Sequence, residues 1–114
     1  MKKFTESHEW VECTGDVATV GITEFAVQEI GETVHAELPK VGRKLRTGDV
    51  AVVIESTKAA IDITTPVSGE VIATNTSLEA QIEKINRSPE VEGWLFKLRL
   101  LDTTEVNSLM ERSD

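Results

Sequence analysis

A single lysine between two short apolar segments is the residue of this chain best placed to carry chemistry. Lys58 lies in the segment Glu55–Ala60, and this segment separates Val50–Ile54 from Ile61–Thr64. The first flank is apolar throughout and the second alternates apolar with polar residues, so both are predicted to be strands. The connection is too short for anything except a hairpin, built on a type I-like turn or a slightly longer loop. Lys58 is therefore predicted to stand at an exposed hairpin tip.

The polar residues beside Lys58 limit the chemistry that this lysine can perform. A lysine that forms a Schiff base needs an apolar pocket to lower its pKa, and the polar residues Glu55, Ser56 and Thr57 do not predict one. An isolated surface lysine is most often only a solvated charge. Its spacing is distinctive, however, because Glu55 precedes it by three residues and Gly69 follows it by eleven.

That spacing resembles a known attachment motif. The segment Glu55–Ala60, followed by Pro66–Val71, is similar to the lipoyl-attachment motif of the glycine cleavage H-protein family. Four further segments also resemble that family and follow its order across residues 4–101. They are Ser7–Val11, Gly15–Thr23, Glu37–Gly42 and Gly93–Leu95.

The resemblance implies a carrier protein of glycine catabolism and one-carbon metabolism, not an enzyme. Lipoate would be joined to Lys58 as an amide by a lipoate ligase or lipoyltransferase. The arm would accept the aminomethyl group of glycine at glycine decarboxylase (the P protein) and deliver it to the aminomethyltransferase (the T protein). Dihydrolipoyl dehydrogenase (the L protein) would then reoxidise the arm. In such a carrier the cofactor supplies the reactive atoms and the protein positions and shields them.

The same resemblance assigns roles to five other residues. Glu55 and Gly69 match positions that help to present the lysine to its ligase, although they could equally be a solvated strand end and a turn glycine. Ser7, Glu9 and Asp62 match a groove that shelters the loaded arm. Carboxylates suit an amine because they accept charge-assisted hydrogen bonds from it. Ordinary exposed strand carboxylates are the competing interpretation for Glu9 and Asp62.

Composition excludes several other classes of function. The formal net charge is −8, which argues against nucleic acid or an anionic membrane surface as a partner. Cys13 is the only cysteine, so an internal disulfide is impossible, and the spacing of Cys13 with His8 and His35 fits no metal site. No membrane span or signal-peptide core is evident. We expect a bacterial cytoplasmic protein, or a mitochondrial matrix protein if the chain is a processed eukaryotic one.

The predicted fold is mostly β. Residues 1–114 fit a single lipoyl-carrier domain, an antiparallel sandwich or half-barrel of the barrel-sandwich hybrid type with two or three short peripheral helices. We expect an extended stretch over 4–11, a helix over 24–30 that Thr23 caps, and a strand over 34–38. A second helix is expected to begin near residue 75 and run to 85, followed by a strand over 93–100 and a terminal helix beginning near residue 102. A Gly-acid-Val opening recurs at 15, 48 and 69, which suggests two similar halves packed face to face.

Three alternatives remain open on sequence grounds. A lipoyl domain serving 2-oxo acid dehydrogenases shares the Glu-x-x-Lys-Ala hairpin but lacks the segments around Trp10 and Trp94, whereas a lipoyl relay, in which this same domain hands lipoate to those enzymes, is not excluded by the sequence. A biotin carrier normally has Met on both sides of its lysine, where this chain has Thr57 and Ala59. A non-carrier interaction module would have no modified lysine. Thr57, Glu90-Val91 and the short C-terminal end also depart from the H-protein pattern, which puts docking to the decarboxylase in question.

Overall fold

The computed structural model describes residues 2–111, which form two antiparallel sheets with a few short helices. The six-stranded sheet has the order β1-β2-β3-β9-β8-β5 and the three-stranded sheet the order β4-β6-β7. The strands are β1 (Lys2–Phe4), β2 (Glu9–Thr14), β3 (Val17–Ile22), β4 (Thr33–Glu37), β5 (Lys44–Leu45), β6 (Val50–Ser56), β7 (Ala60–Thr64), β8 (Gly69–Thr74) and β9 (Phe96–Leu100). The helices are α1 (Glu24–Ile30) and α2 (Glu83–Arg87), with 3-10 helices at Thr76–Glu79 and Thr103–Ser108. The mostly β, antiparallel fold with few short helices is confirmed.

One apolar cluster joins the two sheets. Val20 and Phe96 from the six-stranded sheet and Val52 and Ile54 from the three-stranded sheet are all at most 1% exposed. Each such side chain stabilises the fold by about 1.5–3 kcal/mol relative to leaving it in water. The hairpin β6–β7 is therefore anchored through its inward residues, while its turn lies outside the core.

Trp10 anchors the N-terminal strands. Its indole N–H donates a hydrogen bond to the carbonyl of Pro89 at 3.0 Å, and the ring is 2% exposed. A Cβ atom at Gly21, the residue paired with Trp10, would lie only 2.7 Å from the indole. Glycine at position 21 is therefore what leaves room for the ring.

Helix α1 begins and ends where the sequence predicts. The Thr23 hydroxyl accepts the amide hydrogen of Ala26 at 3.1 Å, which is an N-cap. Gly31 ends the helix with φ = +84°, a conformation that favours glycine, and its N–H donates to the carbonyl of Val27. Ala26 is the buried residue of the helix.

Other element boundaries differ from the sequence prediction. The stretch 4–11 is not one extended segment, because β1 and β2 are joined by a tight turn between Thr5 and His8. The predicted helix over 75–85 is divided into a 3-10 helix and α2. Of the three residues that its apolar spacing directs inward, Leu78 and Ile85 are buried and Ile82 is half-buried against the core. The break falls at residues 80–82, and Asn75 fixes the start of the 3-10 helix, where its side-chain amide donates to the carbonyls of Glu92 and Trp94.

The last two predicted elements are also shorter or tighter than expected. The predicted strand over 93–100 begins only at Phe96, because Gly93 packs directly on α2, where a Cβ would approach the Lys84 carbonyl to 2.6 Å. The terminal helix is a 3-10 helix capped by Asp102, whose carboxylate accepts the amide hydrogen of Thr104. Residues 112–114 lie outside the described part of the chain.

Gly69 lies where two strands meet closely. It pairs with Leu45 on one side and Leu100 on the other, in the six-stranded sheet, and a Cβ there would overlap the backbone carbonyl oxygen of Arg99. Packing alone therefore requires glycine at position 69. Its role in recognition by a ligase stays a prediction.

We predict that Gly69→Ala lowers the free energy of unfolding by roughly 2–4 kcal/mol, because backbone rather than a flexible side chain must move. Urea unfolding followed by circular dichroism measures this. Gly15→Ala is the matched control, since Gly15 has φ = +61° but nothing within 4 Å of a Cβ, and it should cost only about 1 kcal/mol. Equal stability of Gly69→Ala and the native protein would contradict this packing role.

Candidate functional site

The Lys58 turn is held by one hydroxyl group. The Ser56 side chain accepts the amide hydrogens of both Lys58 and Ala59 at 3.1 Å, and the Ser56 N–H donates to the carbonyl of Ala59 at 2.8 Å. The residues of this turn are not among those with positive φ, so it is compatible with the predicted type I geometry. The backbone beneath Lys58 is fixed by these bonds while its side chain is exposed.

The tip of the hairpin also rests against the end of α1. The N–H of Thr57 donates to the carbonyl of Glu32 at 2.9 Å. A Cβ at Gly31 would lie 3.3 Å from Cγ and Cδ of Lys58, so the stem of the lysine passes closely over this glycine. Within residues 2–111 the Nζ atom of Lys58 has no hydrogen-bond or ion-pair partner. The stem of Lys58 is therefore held over Gly31, and its amine is free to react.

The second feature of the site is a buried carboxylate at the start of β2. Glu9 is 3% exposed, and its Oε1 accepts hydrogen bonds from the hydroxyls of Thr5 at 2.7 Å and Ser7 at 2.9 Å. The Glu9 N–H donates in turn to the Thr5 hydroxyl oxygen at 3.0 Å. In the described part of the chain no donor reaches Oε2. The Glu9 carboxylate is thus oriented through one oxygen and unpaired at the other.

Burial raises the pKa of the Glu9 carboxyl above its ordinary value. The hydrogen bonds from Thr5 and Ser7 and the nearby His8 act in the opposite direction but do not cancel it. A carboxylate that is desolvated and lacks a cation is costly to keep charged. A positively charged or hydrogen-bond-donating ligand at Oε2 would offset that cost.

Helix α1 lies between these two features. At its start the Thr23 N–H donates to the carbonyl of His8, the residue before Glu9, at 3.0 Å. At its end Gly31 contacts the Lys58 stem. Seven helical residues span about 10 Å, so the two features lie at opposite ends of a short helix.

The remaining predicted residues lie elsewhere. Glu55 and Asp62 are both exposed and project from the outer face of the three-stranded sheet, as the pairings Glu55↔Ala60 and Val53↔Asp62 show. No hydrogen bond or ion pair joins Asp62 to Glu9 within residues 2–111. The structure thus brings Ser7 and Glu9 together, and it sets Asp62 beside the lysine hairpin instead.

Sequence reasoning missed three residues that shape the site. The Thr5 hydroxyl fixes Glu9, and the Ser56 hydroxyl fixes the Lys58 turn. The role of Ser56 could have been predicted, because a serine at the start of a turn often accepts backbone N–H groups of that turn. Glu90, which departs from the family pattern, accepts the first amide hydrogen of α1 from Glu24 through Oε2 at 3.0 Å. The departure at Glu90 therefore fixes the start of α1.

A two-sheet domain that presents an exposed lysine amine on a turn fixed by hydrogen bonds has the arrangement of a carrier protein. Lys58 and Glu9 also fit a covalently attached arm. The Lys58 amine is exposed at one end of α1, and the Oε2 atom of Glu9, which accepts no hydrogen bond from residues 2–111, lies at the other end. The family model described as glycine cleavage H-protein matches residues 2–114, and this chain belongs to that family.

Individual relatives agree with this assignment. The glycine cleavage system H protein of Thermotoga maritima is 46% identical over 111 residues, covering 97% of this chain and 90% of that protein. The protein of the same name from Phenylobacterium zucineum is 45% identical over 97% of this chain and 92% of its own length. A crystal structure of the glycine cleavage system H protein from Mycobacterium marinum superposes with a TM-score of 0.85 at 31% identity, covering 96% of this chain and 88% of that one.

These findings establish the glycine cleavage H-protein role, in a family of carrier proteins to which the Thermotoga and Phenylobacterium proteins, both bacterial, also belong. That role implies that the chain works with the other proteins of the glycine cleavage system. Within residues 2–111 no helix has the length and apolar character that a bilayer span requires.

We predict that Glu9→Gln raises the free energy of unfolding near neutral pH. A carboxyl whose pKa is raised by folding binds more protons when folded. The free energy of unfolding therefore falls as pH rises from the ordinary carboxyl pKa through the raised one. The amide retains an oxygen for the Thr5 and Ser7 hydroxyls but has no charge to desolvate.

Thermal unfolding of both proteins at a series of pH values measures this difference. The gain from Glu9→Gln should shrink toward acid pH, where the native carboxyl is protonated in both states. Glu6→Gln, at an exposed position of the same turn, is the control. A Gln variant less stable than the native protein at neutral pH would contradict the cost assigned to this buried charge.

Proposed function

We propose that Lys58 carries lipoate in an amide bond and that the protein shuttles the aminomethyl group of glycine on it. The observation that carries this proposal is the unpaired, exposed Lys58 amine above a turn that Ser56 fixes. When attached, lipoate supplies a disulfide that can take up this group at one enzyme and give it up at another. The chain itself contributes attachment, direction and shielding.

Attachment to a fixed turn sets where the arm can reach. Because the backbone at Lys58 is held to Ser56 and to Glu32, the freedom of the arm comes from its own single bonds and not from a mobile loop. Tethering keeps the reactive end at a high effective concentration near every partner that docks on this face. Amide formation also removes the lysine charge, so the apolar stem over Gly31 would lead to a neutral amide and not to a cation.

Glu9 is proposed to hold the amine of the cargo. The Thr5 and Ser7 hydroxyls occupy Oε1 and leave Oε2 as the acceptor for a charge-assisted hydrogen bond. An amine held there is partly sheltered from water, because Glu9 as a whole is only 3% exposed. The oxidised arm has no amine, so Glu9 favours the loaded arm over the empty one.

The exposed face around the hairpin is proposed as the surface that partners recognise. Glu55 and Asp62 lie there, on the side of the hairpin turned away from the core. A lipoate ligase or lipoyltransferase would read Glu55, with Gly69 acting indirectly through the packing of β8. The glycine decarboxylase, the aminomethyltransferase and the dihydrolipoyl dehydrogenase would approach the same end of the protein, around the Lys58 hairpin. The protein would meet these partners in a bacterial cytoplasm.

Intact mass spectrometry of the protein from its native cell tests the proposal. We expect the mass of one lipoyl group, located on the peptide that contains Lys58, and its loss in Lys58→Arg. Unmodified Lys58 in cells that lipoylate other proteins would refute the proposal, and biotin at this position would indicate another class of carrier.

The same modification can be timed in vitro with a purified ligase. Glu55→Ala should slow lipoylation, because the residue is exposed and its loss disturbs little packing. Glu37→Ala, an exposed acid on the neighbouring strand β4, is the matched control and should be modified at the native rate. Native rates for both variants would make Glu55 an ordinary solvated charge.

A further inference from the structure

His8 has a backbone conformation that residues other than glycine adopt uncommonly, although histidine is among those that adopt it most often. Its φ is +66°, and among residues 2–111 it is the only residue other than glycine with a positive φ. His8 closes the turn between β1 and β2, where its N–H donates to the carbonyl of Thr5 at 3.1 Å. Glycine or asparagine is the usual residue at such a position, because a Cβ crowds the following carbonyl. A histidine in this conformation points to a role for the side chain.

The His8 side chain contacts one aromatic neighbour. Its ring centroid lies 4.4 Å from that of Phe25, with the planes tilted by 50°. Phe25 is in the first turn of α1 and keeps 46% of its surface exposed, so the contact is not part of the core. A second link lies beside it, where the Thr23 N–H donates to the His8 carbonyl.

These two links join the two elements that flank Glu9. The turn between β1 and β2 supplies Thr5 and Ser7, whose hydroxyls orient the Glu9 carboxylate. Helix α1 runs from this point to the Lys58 stem. If the turn and the helix moved apart, Glu9 would lose its fixed relation to the arm while both sheets stayed intact.

We propose that the contact between the rings of His8 and Phe25 is a latch that holds the β1–β2 turn on α1 and so positions Glu9. Both are positioning residues that act through Glu9, and neither needs to touch the cargo. This inference rests on the proposed function, in which Glu9 receives the amine. It explains why a strained histidine stands where glycine would fold more easily.

Unmodified protein provides the first test, through hydrogen exchange of two amides. The Thr23 N–H donates to the His8 carbonyl and reports on the joint between turn and helix, and the Glu9 N–H donates to the Thr5 hydroxyl and reports on the order of the turn itself. Each of His8→Gly and Phe25→Ala should speed their exchange by about three- to tenfold, as expected for loss of one aromatic contact. Gln28→Ala, at an exposed position on the same helix, should leave both rates unchanged.

The double variant separates a latch from two independent effects. Because either substitution breaks the same contact, His8→Gly with Phe25→Ala should exchange no faster than the more affected single variant. His8→Gly should also unfold at the native temperature or above, since glycine relieves the strain at position 8. Native exchange rates in both single variants, or rates that multiply in the double variant, would overturn the latch.

Loaded, lipoylated protein provides the second test. Both single variants should lose their amine about three- to tenfold faster than the native protein, and Phe25→Tyr, which retains a ring, should behave as native. Native rates of loss in both single variants would overturn the latch. Failure of the proposed function would look different: Lys58 would be unmodified, or the native protein and Glu9→Gln would lose the amine at equal rates. The exchange assay uses unmodified protein and does not depend on either of these outcomes.

Discussion

Helix α1 is fixed at both ends, and the position of each functional group depends on that constraint. At the start, the Thr23 N–H donates to His8 and the Thr23 hydroxyl accepts from Ala26. At the end, Gly31 turns the chain under the stem of Lys58. A helix of two turns is a rigid spacer, so the distance between the lysine hairpin and Glu9 is set by its length.

The buried carboxylate of Glu9 is the feature that the fold itself does not need. An apolar residue could fill the same position without any desolvation cost, whereas Glu9 requires two hydroxyls to support one oxygen and leaves the other unpaired. Burial that raises a carboxyl pKa is typical of functional sites. The strained backbone of His8 next to it fits the same interpretation, because local strain is retained where the surrounding structure requires it.

Most of the fold could be predicted from the sequence where one residue type dictates one conformation. Thr23 and Gly31 define α1, and alternation defines β7, because capping and side-chain period are local properties. The break of the second predicted helix at residues 80–82 could not be predicted, and neither could the contacts of Asn75 at its start, which reach carbonyls seventeen and nineteen residues away. Apolar spacing records which side chains are buried and not whether the helix between them is continuous.

The candidate site could be predicted only in part for the same reason. The exposed hairpin tip at Lys58 follows from the pattern of its flanking strands, and the structure confirms that position. The burial of Glu9 and the exposure of Asp62 could not be distinguished, because both are acids next to apolar residues. The two carboxylates differ in exposure because the turn between Thr5 and His8 encloses Glu9. No local pattern in the sequence indicates the positive φ of His8 in that turn.

The central claim is that Glu9, rather than acidity in general, shelters the amine of the loaded arm. The most direct measurement is the rate at which ammonia and formaldehyde are released without enzyme from fully lipoylated protein that has been loaded with the aminomethyl group. A charged hydrogen bond at a buried site is worth about 1.5–3 kcal/mol, so Glu9→Gln should release about tenfold faster or more. Asp62→Asn should remain within about twofold of the native rate, because exposed charges interact weakly. Equal rates for the native protein and Glu9→Gln would contradict the claim.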